Sequence, residues 1–421
     1  LKQYLDQSAI DDLLVCRKYN LVDAAPPPPG IIPEPPEPSP QPSRPQKLLL
    51  SKLPETSSIL FGRERELQLL DAAWESPQTN IITLIAWGGV GKTSLVNGWL
   101  NGMEGDNYRG ARFVYGWSFY SQGAAEGKQA SADPFIAHAL EWFGDPDPEK
   151  GSAWDKGVRL AELVRRNKTL LILDGLEPLQ YPPGEMKGKL KDQGLQALFK
   201  ELARLNDGLC VITSRLALNE LKSTVAECAL VEAETPEVPG PCARLPLENL
   251  SVEAGAELLK SFGVKGREDD LKAAVEDFGG HALALNLLGS YISVVHGGDI
   301  RKRDRIASLT EEEEQGGHAM RVMESYESWL SGSPELNILY LLGLFDRPAE
   351  GGAIEKLKEA PVIEGLTDEL QGLTDAKWRF AVKRLRDLRL IAQEDPARKD
   401  TLDCHPLIRE YFGERLQETN P

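Results

Sequence analysis

The sequence predicts an α/β fold built on a parallel, doubly wound sheet. Short apolar runs of strand length recur through the first half of the chain, at residues 80–85, 112–119, 169–174 and 209–215. Helical patterns separate these runs, and strands that alternate with helices pair in parallel and are buried on both faces. A fifth strand is expected near residues 229–231 or 243–247, and the pattern from Leu250 onward is helical.

A glycine-rich turn follows the first apolar run and leads into a helix. The residues of this turn and of the helix start are Ala86, Trp87, Gly88, Gly89, Val90, Gly91, Lys92, Thr93 and Ser94. They match the phosphate-loop pattern G-x-x-x-x-G-K-[ST], with Ala86 in place of the first glycine. In this pattern backbone N–H groups bind phosphate oxygens, Lys92 neutralises the β- and γ-phosphates, and the Thr93 hydroxyl holds Mg²⁺. The turn therefore predicts an α/β P-loop NTPase that binds a nucleoside triphosphate and Mg²⁺.

Charged side chains lie at the ends of two later apolar runs. Asp174 ends one run, and we expect it beside the phosphate loop as a Mg²⁺ ligand, the alternative being a cap or turn residue. Glu177 follows and is a candidate to orient or activate the water that attacks the γ-phosphate. Arg215 ends the next run, where it either contacts the γ-phosphate or forms an ion pair with a neighbouring acid.

The composition excludes several classes of function. A net charge of −17 over 421 residues disfavours non-specific binding to nucleic acid or to an anionic membrane, and the chain contains no apolar run of transmembrane length. Five scattered cysteines without a C-x-x-C pair argue against a disulfide framework or a zinc site. We therefore expect a cytoplasmic protein, with neither a membrane nor nucleic acid among its partners. The chain begins with Leu1 rather than Met, so we expect a fragment.

Changes in composition divide the chain into five segments. Residues 1–23 are a short helical fragment of an upstream module, and residues 24–56 are a Pro-rich linker that is either a spacer or a ligand for a recognition domain. Residues 57–248 form the P-loop nucleotide-binding domain, residues 249–317 a helical domain, and residues 318–421 a winged-helix domain.

The winged-helix prediction depends on the pattern near the C-terminal part of the chain. A basic amphipathic helix is expected over residues 378–390, followed by two short strands around a turn and a further helix that begins near Pro406. A helix of this kind either contacts DNA or packs within the chain, and the acidic charge of the whole chain favours packing.

Several motifs occur in a characteristic order. They are Leu60-Phe61-Gly62-Arg63-Glu64-Arg65-Glu66, the phosphate loop, Leu173-Asp174-Gly175-Leu176-Glu177, Thr213-Ser214-Arg215, Gly280-His281-Ala282-Leu283-Ala284-Leu285 and the segment that contains His405. Over residues 57–416, this order resembles the STAND class of signal-transduction ATPases, close to the NB-ARC and NACHT groups, in a bacterial version.

The resemblance implies further nucleotide contacts. Phe61, Gly62 and Arg63 would line the adenine pocket. The Gly-x-Pro turn of the family corresponds to Gly280-His281-Ala282, in which alanine replaces proline, and would touch the adenine or the ADP phosphates. His405 would contact the β-phosphate of ADP, the alternative being a core or cap histidine.

The resemblance also implies a function. The chain would be an ATP/ADP-dependent switch in regulation or defence, closed with ADP and self-oligomerising with ATP, with slow hydrolysis. Effector and sensor modules would lie outside this chain. Two alternatives stay open, a winged-helix transcription regulator and an AAA-type remodelling ATPase.

Overall fold

The computed structural model describes residues 43–56, 59–120, 131–182, 184, 186–222, 224–228, 238–306, 317–359, 361–394 and 400–419. The predicted helical fragment 1–23, most of the Pro-rich segment and the possible strand at 229–231 lie outside the described residues. All of the described residues belong to one compact unit.

A seven-stranded, all-parallel sheet forms the first half of this unit and confirms the predicted α/β class. Its strands are β1 (Lys47–Leu49), β2 (Ile81–Ile85), β3 (Phe113–Ser118), β4 (Thr169–Asp174), β5 (Leu209–Ser214), β6 (Val225–Glu227) and β7 (Cys242–Pro246). The strand near residues 243–247 is therefore β7. Strands β1 and β6 have only three residues each and carry no sequence signal, and β1 lies within the range 24–56 that composition predicts as a linker.

The strand order is β1-β3-β4-β5-β2-β7-β6, so β5 separates the strand of the phosphate loop from the strand of Asp174. Ile85 at the end of β2 pairs with Ser214 at the end of β5. Leu173 near the end of β4 pairs with Ile212, which also belongs to β5. The three strands therefore end at one edge of the sheet, where their following residues meet.

Helices cover both faces of the sheet. They are α1 (Glu64–Glu75), α2 (Lys92–Gly105), α3 (Asp133–Phe143), α4 (Ala153–Arg165) and α5 (Gln193–Arg204). Alternate strand residues enter two separate apolar clusters: Ile82 and Leu84 pack with α1 and α2, whereas Ile81 packs with α3, α4 and α5. This alternation follows from the period of two in a strand and makes the sheet doubly wound.

The remaining elements in the described residues are mainly helical. They are α6 (Val252–Ser261), α7 (Glu268–Asp277), α8 (Ala282–His296), α9 (Gly317–Trp329), α10 (Pro334–Gly343), α11 (Gly351–Lys358), α12 (Asp375–Asp387) and α13 (Pro406–Thr419). One continuous apolar cluster joins them, from Ala256 to Leu416. No helix in the described ranges has the length and apolar composition needed to cross a lipid bilayer.

The two short strands expected after residue 390 do not form a ladder within the described residues. Ala349 and Leu402 form an isolated antiparallel bridge, and the N–H of Ala392 donates to the carbonyl of Asp403 at 2.8 Å. The separation of this helical part into a helical domain and a winged-helix domain therefore stays a prediction.

Candidate functional site

The phosphate loop, residues 86–93, joins β2 to α2. Gly89 and Gly91 have φ angles of 77° and 108°, in the left-handed region that favours glycine. Helix α2 begins at Lys92, and the first N–H groups of a helix have no carbonyl partner within that helix. These N–H groups lie at the end of the phosphate loop. The Lys92 ammonium donates to the carbonyls of Ala86 (2.8 Å) and Trp87 (3.0 Å), and burial lowers its pKa. The loop therefore presents a buried cation and free N–H donors, as an anion site requires.

Thr93 and Asp174 meet although their elements are separated by β5. The Thr93 hydroxyl donates to Oδ1 of Asp174 at 2.8 Å, and the Thr213 hydroxyl donates to the same oxygen at 2.8 Å. Burial raises the pKa of Asp174 in spite of these hydrogen bonds and the nearby charge of Lys92. A hydroxyl beside a carboxylate suits Mg²⁺, which is bound through few protein groups together with phosphate oxygens and water. The described residues contain no group of three or more His, Cys, Asp or Glu side chains that could hold a metal ion.

Glu177 opens a short 3₁₀ turn, Glu177–Leu179, just beyond β4. Its Oε1 lies 3.8 Å from the Lys92 ammonium, whereas its buried Oε2 has no hydrogen-bond partner among the described residues. Burial raises the pKa of Glu177 even though Lys92 and Arg215 favour the charged form. A buried carboxylate oxygen left without a donor is suited to accept a hydrogen bond from a bound water.

Arg215 follows β5 and lies beside the phosphate loop. Its Nη2 is 3.5 Å from Oε1 of Glu410 on α13, so the ion pair that the sequence left as an alternative is present. The guanidinium is also close to Gly88, since a Cβ built on this glycine would lie 3.3 Å from Nε and Nη2. Contact with a γ-phosphate stays a prediction.

His281 fastens α8 to the outer side of the loop. The N–H of Ala284 donates to His281 Nδ1 at 3.2 Å, so the ring proton is assigned to Nε2, which donates to the Gly88 carbonyl at 2.9 Å. The N–H of Leu283 donates to the Gly89 carbonyl at 2.9 Å. Burial lowers the pKa of His281, which keeps the ring neutral. His281 thus contacts the phosphate loop itself, and its predicted contact with a nucleotide is untested.

His405 immediately precedes α13, and its residue surface is partly buried. The N–H of Leu407 donates to its Nδ1 at 3.2 Å. Burial, followed by the charges of Arg215 and Lys92, lowers the pKa of His405 to about 3. The positive charge near the loop therefore comes from Lys92 and Arg215, whereas the histidine ring is neutral at physiological pH and can act only as a hydrogen-bonding group.

Phe61, Gly62 and Arg63 act as connectors in this structure. Arg63 is buried and donates to Glu66 (2.8 Å), to the Val90 carbonyl (3.2 Å) and to the Glu248 carbonyl (2.8 Å). Gly62 has a φ of 60°, and Phe61 packs against the apolar cluster of the helical part. Arg63 therefore joins the loop to the segment after β7, and the predicted contact of the three residues with adenine stays a prediction.

A cavity of about 360 Å³ adjoins the start of the phosphate loop. It is lined by Ile85, Ala86, Trp87, Val90, Arg215, Leu247, Glu248 and Asn249. Trp87 is 50% exposed. The cavity lies beside the loop and does not include Lys92 or Thr93 among its lining residues. Sequence reasoning did not identify Leu247, Glu248 and Asn249, which carry no motif and reach the loop only through the pairing of β7 with β2.

Comparison with known proteins supports the assignment of the fold. The STAND protein PH0952 of Pyrococcus horikoshii, which has a tetratricopeptide repeat sensor, matches with a TM-score of 0.51 and 16% identity over 86% of this chain and 44% of that chain. This chain has the fold of a P-loop NTPase. No family model matches it.

Other similarities are weaker. An uncharacterised WD repeat-containing protein of Nostoc sp. is 24% identical over 276 residues, which is 61% of this chain and 20% of that protein. The Walker-type ATPase of Pyrococcus abyssi has a TM-score of 0.40 (16% identity, 86% of this chain and 98% of that chain). The Orc1 protein of Aeropyrum pernix, in complex with DNA, has a TM-score of 0.36 (18% identity, 85% and 94%). The chain thus spans less than half of the STAND protein and a fifth of the Nostoc protein.

Proposed function

We propose that this chain is an ATP/ADP-dependent switch of the STAND type, held closed by ADP and opened for self-association by ATP. The observation that carries the proposal is the surroundings of Gly88. Its carbonyl accepts from His281 of the α8 start, and the position of its missing Cβ lies 3.2 Å from a Leu407 methyl of α13 and 3.3 Å from the Arg215 guanidinium. One glycine of the phosphate loop thus lies close to Arg215 at the sheet edge and to the starts of α8 and α13.

A switch requires that its two ligands make different contacts in the two states. ADP and ATP differ only in the γ-phosphate, and Arg215 is the charged group beside the loop that also contacts α13. We propose that Lys92, Thr93 and Asp174 hold the Mg²⁺-nucleotide, that Glu177 positions the water for slow hydrolysis, and that Arg215 senses the γ-phosphate. The bound ion would offset the charge that develops on the phosphates.

The same proposal assigns the domains and the partners. Residues 57–248, 249–317 and 318–421 are proposed to be the nucleotide-binding, helical and winged-helix domains. The Pyrococcus relative carries a tetratricopeptide repeat sensor and the Nostoc relative carries WD repeats. By analogy, we propose that this chain works with an effector and a repeat sensor, in regulation or defence.

The His405→Ala variant tests the closed state. If His405 donates to the β-phosphate of ADP, its loss weakens ADP binding by about tenfold, the effect of one charge-assisted hydrogen bond. Isothermal titration with ADP measures this change, and His296→Ala, at the far end of α8, is the control. If the intact protein binds neither ADP nor ATP, the proposed function is wrong. If the two variants bind ADP equally well, the closed-state role of His405 is wrong.

A second candidate function, nucleic-acid binding, is favoured by the outer face of α12. Phe380 is 67% exposed there, and Lys377, Arg379 and Lys383 are exposed around it. Lys383 pairs with Asp387, whereas Lys377 and Arg379 form no ion pair in the described part of the chain. Exposed cations beside an aromatic ring suit a phosphate backbone with stacked bases.

Charge reversal separates this candidate from packing within the chain. If α12 binds DNA, Lys377→Glu with Arg379→Glu weakens binding and reduces the slope of log affinity against log salt by about 2. Arg267→Glu with Arg301→Glu reverses two equally exposed cations elsewhere and serves as the control. Fluorescence anisotropy with a labelled duplex measures both. Absence of salt-dependent binding by the unmodified protein excludes this second function.

A further inference from the structure

We propose that Glu410 makes the site select ADP over ATP, by holding the Arg215 guanidinium that a γ-phosphate would otherwise bind. The inference rests on the proposed function, in which Arg215 meets the γ-phosphate. It adds a specificity-determining residue that lies 195 positions from Arg215 in the sequence and belongs to none of the motifs.

The position of Arg215 supports the competition. The charge of this guanidinium disfavours the charged form of Lys92 and favours that of Glu177, so it lies within electrostatic reach of both. Its exposed fraction is only 18%, which limits solvent screening. The Glu410 carboxylate, whose side chain is 36% exposed, is therefore an anion of the chain itself at the edge of the predicted phosphate site.

The anchoring of α13 gives the contact a consequence. Glu327 of α9 accepts hydrogen bonds from the Tyr411 hydroxyl (2.7 Å) and from Nε of Arg415 (3.0 Å). Gly413 crosses Gly343 of α10 so closely that a Cβ on Gly343 would lie 2.5 Å from the Gly413 nitrogen. Helix α13 is thus fixed to the helical part, and the Glu410–Arg215 pair joins that body to the sheet edge.

The two nucleotides differ in what they require of this pair. ADP has no γ-phosphate and leaves Arg215 with Glu410. ATP carries a terminal phosphate that can bind a guanidinium through two hydrogen bonds of about 2.8 Å, shorter and stronger than the 3.5 Å contact with Glu410. Binding of ATP therefore displaces the Glu410 carboxylate from Arg215 and loosens the attachment of α13 to the sheet edge. The free energy needed for this displacement lowers the affinity for ATP relative to the affinity for ADP.

Glu410→Gln tests the inference because it keeps the shape of the side chain and removes its charge. The affinity ratio of ATP to ADP, measured by titration with Mg²⁺ and a non-hydrolysable ATP analogue, should rise about three- to tenfold. Glu414→Gln, one turn further on the same helix and exposed, is the matched control and should leave the ratio unchanged. In an Arg215→Ala background, Glu410→Gln should have no further effect.

Three outcomes are distinguishable. If both nucleotides bind and Glu410→Gln gives the same ratio as Glu414→Gln, the role of Glu410 is wrong and the proposed function stands. If Glu410→Gln still changes the ATP-to-ADP affinity ratio in the Arg215→Ala background, Glu410 does not compete with the γ-phosphate for the Arg215 guanidinium. If the unmodified protein binds neither nucleotide, the proposed function itself fails. Thermal melting of each variant shows whether a change in affinity comes from unfolding.

Discussion

Replacing Lys92 with alanine is expected to weaken the binding of both ADP and ATP by about 100-fold or more. The Lys92 ammonium is the cation of the phosphate loop, and it is already bent over the Ala86 and Trp87 carbonyls, from which it can turn to a phosphate. Charge-assisted contacts to two phosphates in a buried site account for a loss of this size. Isothermal titration of the purified variant measures it.

Thermal melting of the variant checks that the fold survives the change, because the Lys92 ammonium lies 3.8 Å from the buried Glu177 carboxylate. Lys150→Ala, which removes an exposed ammonium, is the control for a general loss of positive charge. Binding by Lys92→Ala within threefold of the unmodified protein would contradict the assignment of this loop as the nucleotide site.

Replacing Glu177 with glutamine is expected to slow ATP hydrolysis by about 100-fold while ATP still binds. The amide keeps the shape of the side chain but cannot accept a proton from the attacking water, and general-base catalysis contributes factors of this order. A phosphate-release assay with excess ATP measures the rate, and titration measures the binding. Glu149→Gln, at an exposed glutamate, is the control. A variant that hydrolyses ATP at the original rate would show that Glu177 is not the base.

The same substitution should also raise the thermal stability, and more so at higher pH. Burial raises the pKa of Glu177 above the ordinary value of 4.5, so the folded state binds this proton more tightly than the unfolded state. The tighter binding of this proton stabilises the folded state fully below pH 4.5. The stabilisation is lost as the pH rises through the pKa that Glu177 has in the folded protein. Glutamine does not titrate, so the variant does not lose this stability as the pH rises, whereas the parent does. The difference in Tm between variant and parent should therefore grow with pH, by about 2–4 °C for each 1 kcal/mol of stability that the parent loses.

The sequence predicts those parts of the molecule that local patterns encode. The apolar runs that became β2 to β5 are buried on both faces, so their composition alone distinguishes them. The phosphate loop combines glycines at positive φ with a lysine and a threonine at a fixed spacing. By contrast, β1 has three residues, of which the first two are exposed, so no period can be recognised in it.

The contacts around the loop could not be predicted, because they depend on chain segments that are far apart. The insertion of β5 between β2 and β4 is a property of the topology, yet it decides which side chains surround Asp174. The sequence around His281 does not tell whether its ring contacts a phosphate or, as in the structure, the Gly88 carbonyl. Glu410 is one of 65 acidic residues, and only the packing of α13 brings it to Arg215.

The contact between Gly88 and Leu407 has a consequence for synthesis on the ribosome. The two residues are 319 positions apart, and at about 5–20 residues per second roughly 15–60 s separate their translation. During this interval the phosphate loop and the strands β2 to β5 can emerge and pair before α13 exists. Leu407 can therefore cover Gly88 only after every strand of the described sheet has been synthesised.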